Sequence, residues 1–194
     1  MRLTGMTRML LACGVAGPVL FLALVLIPGA TRPGYSAWRN AANQLALGGQ
    51  GWVQTINFFV SGLLLLGFAL GLRQAFRSGR GFAWAPRLVA GIGVSLLLLG
   101  VFPVNPGLGY PPGAPATYSL HGAVHFVLGT LLFGQLSAVC FLLARRFATD
   151  AEWRGWTPGS MATGVIVAAF YVGTVVVASI DQLATGPAGW HGLL

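Results

Sequence analysis

Five long stretches of this chain contain no Arg, Lys, Asp or Glu, and that spacing of charge constrains the fold more than any other feature. They are Met9–Pro28, Trp52–Leu72, Leu88–Phe102, Ser119–Ala144 and Gly159–Ile180. Each is mostly apolar, and a helix that crosses a bilayer needs about 20 such residues. Arg87 and Arg145 enclose enough chain for two spans. Pro103-Val104-Asn105-Pro106 and Pro111-Pro112-Gly113 divide that interval, because proline and glycine interrupt helices. The runs are continuously apolar rather than alternating, which excludes a transmembrane β-barrel. Only 7% of the 194 residues are charged and 56% are hydrophobic, with a mean hydropathy of +0.78. An ordinary soluble domain carries about 25% charged residues. So few charges could not cover a soluble surface, which excludes a soluble enzyme, a disordered chain and a disulfide scaffold. The expected fold is all-α, a polytopic transmembrane bundle forming a single integral membrane domain over residues 1–194. Its five predicted spans are 9–28, 52–72, 88–102, 119–144 and 159–180.

The formal net charge of +8 comes from eleven Arg and no Lys, set against Asp150, Glu152 and Asp181. A basic balance can signal nucleic acid. Here the arginines stand in ones and twos between apolar runs, so no nucleic-acid partner is expected. Their distribution reads as topology instead. Arg2, Arg8, Arg73, Arg77, Arg80, Arg87, Arg145, Arg146 and Arg154 fall on one side, and only Arg32 and Arg39 on the other. The arginine-rich side is expected to be cytoplasmic, with the N-terminus inside and the C-terminus outside. Trp84, Trp153 and Trp156 then mark inner boundaries, and Trp38, Trp52 and Trp190 outer ones. The first span starts basic, but its apolar core exceeds the roughly 7–15 residues of a signal-peptide core. No clear Ala-x-Ala site follows, so it is expected to remain as an anchor. Gly186–Leu194 is too short to cross again.

Polar residues inside membrane helices are costly, so their placement is informative. They gather toward the outer side. The first outer loop carries Arg39, Asn40, Asn43 and Gln44, and is expected to lie on the membrane as a short helix with Leu45 and Leu47 dipping in. Gln54, Asn57 and Ser61 share one face of the second span. Asn105, Tyr110 and Tyr118 follow in the second outer loop. The fourth span opens with Ser119, His121 and His125, and the fifth ends at Asp181 and Gln182. His121 and His125 are four residues apart, on one helix face and about 6 Å apart along its axis. One metal ion, such as zinc, could bridge both rings, with Asp181 and His191 completing the site. The alternative is two interfacial histidines bonded to loop carbonyls and to Asn105 or Asn57. Arg39 is read either as a ligand for a lipid phosphate or carboxylate, or as a snorkelling cation paired with Asp181. Cys13 and Cys140 lie within apolar runs and read as packing residues. Gly67-x-x-x-Gly71 suits packing within one chain and association of a homo-oligomer equally.

Several blocks resemble a known bacterial family. They are Gly34-Tyr35, Arg39-Asn40 with Gln44-Leu45-Ala46-Leu47-Gly48, and Gly51-Trp52-Val53-Gln54-Thr55-Ile56-Asn57-Phe58. Gly71-Leu72-Arg73, Gly109-Tyr110-Pro111 and Ser119-Leu120-His121-Gly122-Ala123-Val124-His125 continue the pattern. Together they resemble the family catalogued as domain of unknown function 998, over about Gly34 to Arg146. The resemblance implies a polytopic protein of the bacterial inner (plasma) membrane with about six helices, and it implies no established reaction. Members often carry an acid near Asn105, which this chain lacks. They also continue into a last helix beyond a stretch like Ala188-Gly189-Trp190, so the five spans here are read as a six-helix family fold cut short.

Two functions from different classes follow. The first is an outer-face polar pocket for a lipid or small hydrophobic ligand, drawn from Arg39, Asn40, Asn43, Gln44, Asn57, Asn105, His121, His125 and Asp181. The second is a membrane-embedded hydrolase in which His121 and His125 hold zinc and activate water. A transporter or accessory subunit is a third reading, disfavoured by the lack of an inverted repeat or a mid-membrane charge.

Overall fold

The computed structural model describes residues 3–75 and 83–185, with side chains through Ile180. Among those residues the chain is all-helical and has no strand. Five long helices follow one another: α1 (Gly5–Thr31), α2 (Gly51–Ala75), α3 (Trp84–Val101), α4 (Leu120–Ala148) and α5 (Thr157–Thr185). A short 3-10 helix, Ala42–Ala46, lies in the connection from α1 to α2, and another, Arg154–Trp156, leads into α5. All five long helices are long and apolar enough to cross a membrane. Helices suit that task because lipid offers no partner to an unpaired backbone group.

The helices overrun the predicted spans at their ends. α1 takes in Arg8, and α3 takes in Trp84 and Arg87 but stops at Val101. Ser119 is the residue before α4, where its hydroxyl accepts from the Gly122 N–H at 3.0 Å. Thr4 does the same for α1 by accepting from the Thr7 N–H at 3.2 Å. Charge-free intervals miss these ends because a helix continues into the headgroup zone, where arginine is tolerated. Arg73, Arg145 and Arg146 occupy the last turns of α2 and α4. A cation is favoured there by the helix dipole.

Each long helix packs on its neighbours in sequence: α1 on α2, α2 on α3, α3 on α4 and α4 on α5. The shortest helix, α3, is the most buried, while α1 and α5 are the least. The core joins Phe58 and Ala69 of α2 to Val89, Ile92, Leu96 and Leu99 of α3 and to Leu128, Leu132 and Val139 of α4. α2 and α3 cross with their backbones in close approach. A Cβ at Gly62 would sit 2.8 Å from the Gly93 carbonyl oxygen, and one at Gly93 would sit 2.9 Å from that of Gly62. Gly67 and Gly71 face Leu10, Leu11 and Cys13, so this small-residue pair packs α2 against α1 within the chain. Cys13 and Cys140 are free and half-buried. At the opposite edge, Tyr171 of α5 stacks on Phe133 of α4 at 4.8 Å and shares a 2.6 Å hydrogen bond with Thr130.

Candidate functional site

The connection between α1 and α2 and the connection between α3 and α4 meet at one end of the bundle. Two buried amides tie them together. Asn40 Nδ2 donates to the Leu108 carbonyl at 3.0 Å, while its Oδ1 accepts from the Ser36 N–H at 2.9 Å. Gln44 Nε2 donates to the Gly107 carbonyl at 2.6 Å, while its Oε1 accepts from the Ala41 N–H at 3.0 Å. Both carbonyls belong to a tight turn in which Gly107 and Tyr110 exchange backbone hydrogen bonds of 3.2 and 3.0 Å. Its central residues, Leu108 and Gly109, have φ of 54° and 70°. Left-handed backbone at both positions is the geometry of a two-residue hairpin turn. Tyr110 is buried beneath this cap and meets Tyr35 edge-on at 5.6 Å. Burial, and then the neighbouring Tyr110, push the Tyr35 phenol above its ordinary pKa, and Arg32 pulls it back in part.

His125 fastens the cap to the bundle. α3 ends where Pro103 and Pro106 follow, and Pro106 has no N–H for the Phe102 carbonyl. His125 Nδ1 donates to that carbonyl at 2.6 Å. Its Nε2 accepts from Asn43 Nδ2 at 2.9 Å. These partners define a neutral ring with its hydrogen on Nδ1. The ring is buried and lies edge-on to Phe58 at 6.4 Å. His121 stands on the same side of α4 but is exposed, with its ring 5.8 Å from that of Phe102.

As bonded here, His125 offers no free ring nitrogen to a metal. Binding needs a vacant ring nitrogen, and both nitrogens of His125 already have protein partners. Among the described residues no three His, Cys, Asp or Glu side chains come together. The side chain of Asp181 and all of His191 lie outside the described residues.

The two arginines at this end of the bundle also divide. Arg39 is exposed, whereas Arg32, the residue that ends α1, is buried with 9% of its surface accessible. Its guanidinium donates to three main-chain carbonyls: Nη1 to Leu45 and, at 3.4 Å, to Leu47, and Nη2 to Gln50 at 2.9 Å. Leu45 is wholly buried and Leu47 half-buried, so the short helix dips inward at Leu45 most deeply.

Gln54, Asn57 and Ser61 form a buried ladder along α2. Asn57 Nδ2 donates to Gln54 Oε1 and to the Phe21 carbonyl of α1, each at 3.2 Å, and Ser61 Oγ donates to Asn57 Oδ1 at 3.1 Å. Asn105 accepts from the Ser119 hydroxyl at 2.7 Å, which holds the second loop onto the start of α4. Only a glycine at position 122 leaves room for it, since a Cβ there would collide with the Asn105 amide. Three buried polar atoms at this end have no protein partner: Arg32 Nε, Asn43 Oδ1 and Gln54 Nε2.

A family model described as protein of unknown function, DUF998, matches residues 15–194. The chain belongs to the DUF998 family. No curated protein and no solved structure matches it. In this DUF998 chain the motif residues converge on the cap. The Arg39-Asn40 block contributes the Asn40 and Gln44 ties, and the Trp52-x-Gln54-x-x-Asn57 block the ladder. The block from Ser119 to His125 contributes the α4 cap, the glycine gap and the buried ring. The DUF998 fold joins Asn40, Asn43, Gln44 and His125 through the loops, places Asn57 in the ladder and Asn105 at the α4 cap, and leaves Arg39 and His121 exposed. Sequence reasoning passed over Arg32 as a site residue. Its partners are backbone carbonyls, which leave no pattern of side chains to read. Gln135 was also missed. Its buried Oε1 is unpartnered in the middle of α4, and Gly91 of α3 opens the space that it fills.

Proposed function

We propose that this DUF998 protein binds a lipid or small hydrophobic ligand beneath the outer cap, as a single domain of a bacterial inner membrane with its N-terminus in the cytoplasm. The observation that supports ligand binding is the set of unpartnered buried atoms, Arg32 Nε, Asn43 Oδ1 and Gln54 Nε2. Buried polar groups almost always find a partner in protein or in water. An amphiphile would meet them with its polar head while its tail lay along the exposed apolar faces of the helices. Purification in a mild non-ionic detergent, followed by solvent extraction and mass spectrometry, tests this reading. About one amphiphile per chain is expected, with clear loss in Gln54→Leu. Parent protein that emerges empty, with water alone satisfying these atoms, overturns it.

The orientation rests on the arginine bias. A reporter fused after Arg80 is expected to read as cytoplasmic, and one fused after Gly113 as external. The reverse pattern would put the cap on the inner face.

A further inference from the structure

Among the described residues, Arg32 is a buried cation held only by neutral groups. Guanidinium keeps its charge at any physiological pH and carries five N–H donors. Three bonds go to the carbonyls of Leu45, Leu47 and Gln50, which leaves two N–H groups, one of them the unpartnered Nε–H. Carbonyl dipoles satisfy hydrogen bonds but do not neutralise a charge, and a buried charge without a counter-ion is costly. No described carboxylate serves. Asp150 and Glu152 follow the far end of α4, and α5, which carries Asp181, packs on α4 and not on α1, α2 or the cap helix. Gln54, whose Nε2 is also unpartnered, lies in the first turn of α2, which starts just after Gln50. One unfilled donor therefore lies on the residue that follows α1 and another in the first turn of α2. Their shared preference is for an oxyanion.

We infer that Arg32 is the anion subsite of the cap, taking the phosphate or carboxylate of an acidic amphiphile, with Gln54 Nε2 as a second donor. This assignment rests on the ligand reading above and narrows it to a charge class. Planar guanidinium suits such groups because it offers paired donors at their oxygen spacing. Arg39, exposed later in the same loop, is not needed for it.

Native mass spectrometry of the full chain with defined probes tests the assignment: phosphatidylglycerol, phosphatidylcholine, oleate and inorganic phosphate. The parent should retain phosphatidylglycerol or oleate over phosphatidylcholine by at least about ten-fold, and Arg32→Gln should lose that preference, while Arg39→Gln keeps it. Displacement of the bound lipid by millimolar inorganic phosphate would show a site for free anions; failure to displace it would show a lipid headgroup site, and either supports the subsite. Equal retention of acidic and zwitterionic lipid by the parent overturns the assignment but leaves the ligand reading standing. A parent that retains no amphiphile sinks both. Should Arg32→Gln fail to fold, the thermal midpoint of the parent decides: it should rise with added phosphatidylglycerol and not with phosphatidylcholine, and identical responses overturn the subsite.

Discussion

Replacing His125 by leucine is expected to destabilise the protein by about 3 kcal/mol, whereas His121→Leu should cost less than about 0.5 kcal/mol. The two residues share a helix face and differ in what they hold. His125→Leu strands the Phe102 carbonyl, which Pro106 cannot satisfy, and the Asn43 amide in the same step. Both bonds are part-buried, so each loss carries a share of desolvation penalty as well as a missing bond. His121 is exposed, and among the described residues its ring lies near that of Phe102. Titration with denaturing detergent in mixed micelles reads the difference directly. A double variant with Asn43→Leu adds a sharper check. Once the ring is gone, losing the amide should cost little more, so the two effects should fall short of additivity by about 1 kcal/mol. Additive losses would mean that the ring and the amide do not act as one link.

The second large effect is expected at the α2–α3 crossing. Gly62→Val should cost about 3 kcal/mol or prevent folding, because even a Cβ meets the Gly93 carbonyl oxygen at 2.8 Å and Leu97 Cδ2 at 2.9 Å. The Gly93 backbone can retreat only if α3 moves, and α3 carries Val89, Ile92, Leu96 and Leu99 of the core. Gly134→Val is the matched control. That glycine lies on an exposed part of α4, where an added Cβ would meet nothing within 4 Å. Its substitution should change the unfolding midpoint little. Equal shifts for the two variants would show that close backbone approach at Gly62 does not hold the bundle.

These two sites differ in how far a sequence discloses them. The spans were legible because every turn of a membrane helix repeats the same requirement, apolar side chains around a self-satisfied backbone. The ladder of Gln54, Asn57 and Ser61 was legible too, since their spacing places them on one face. Spacing did not separate His121 from His125, because burial near a helix start depends on which loop folds over it. Gly62 and Gly93 looked like any other small residues in these helices. Their role is set by where two axes cross, and that is a property of the pair. Arg32 was the least legible, for its acceptors are the carbonyls of Leu45, Leu47 and Gln50, and any residue type supplies a carbonyl.

Packing of each helix on its sequence neighbours has a consequence for how the molecule is assembled. A helix that emerges from synthesis finds its docking surface already in place on the helix before it, so most of the bundle forms through contacts of short loop closure. The cap is different. Its links join Asn40 to Leu108, Gln44 to Gly107 and Asn43 to His125 across 68, 63 and 82 positions. The first two wait for the loop after α3, and the last cannot close until α4 has entered beside α3. The cap is therefore a clasp whose last link fastens late, and a chain arrested before α4 would leave the Asn43 amide without its His125 partner.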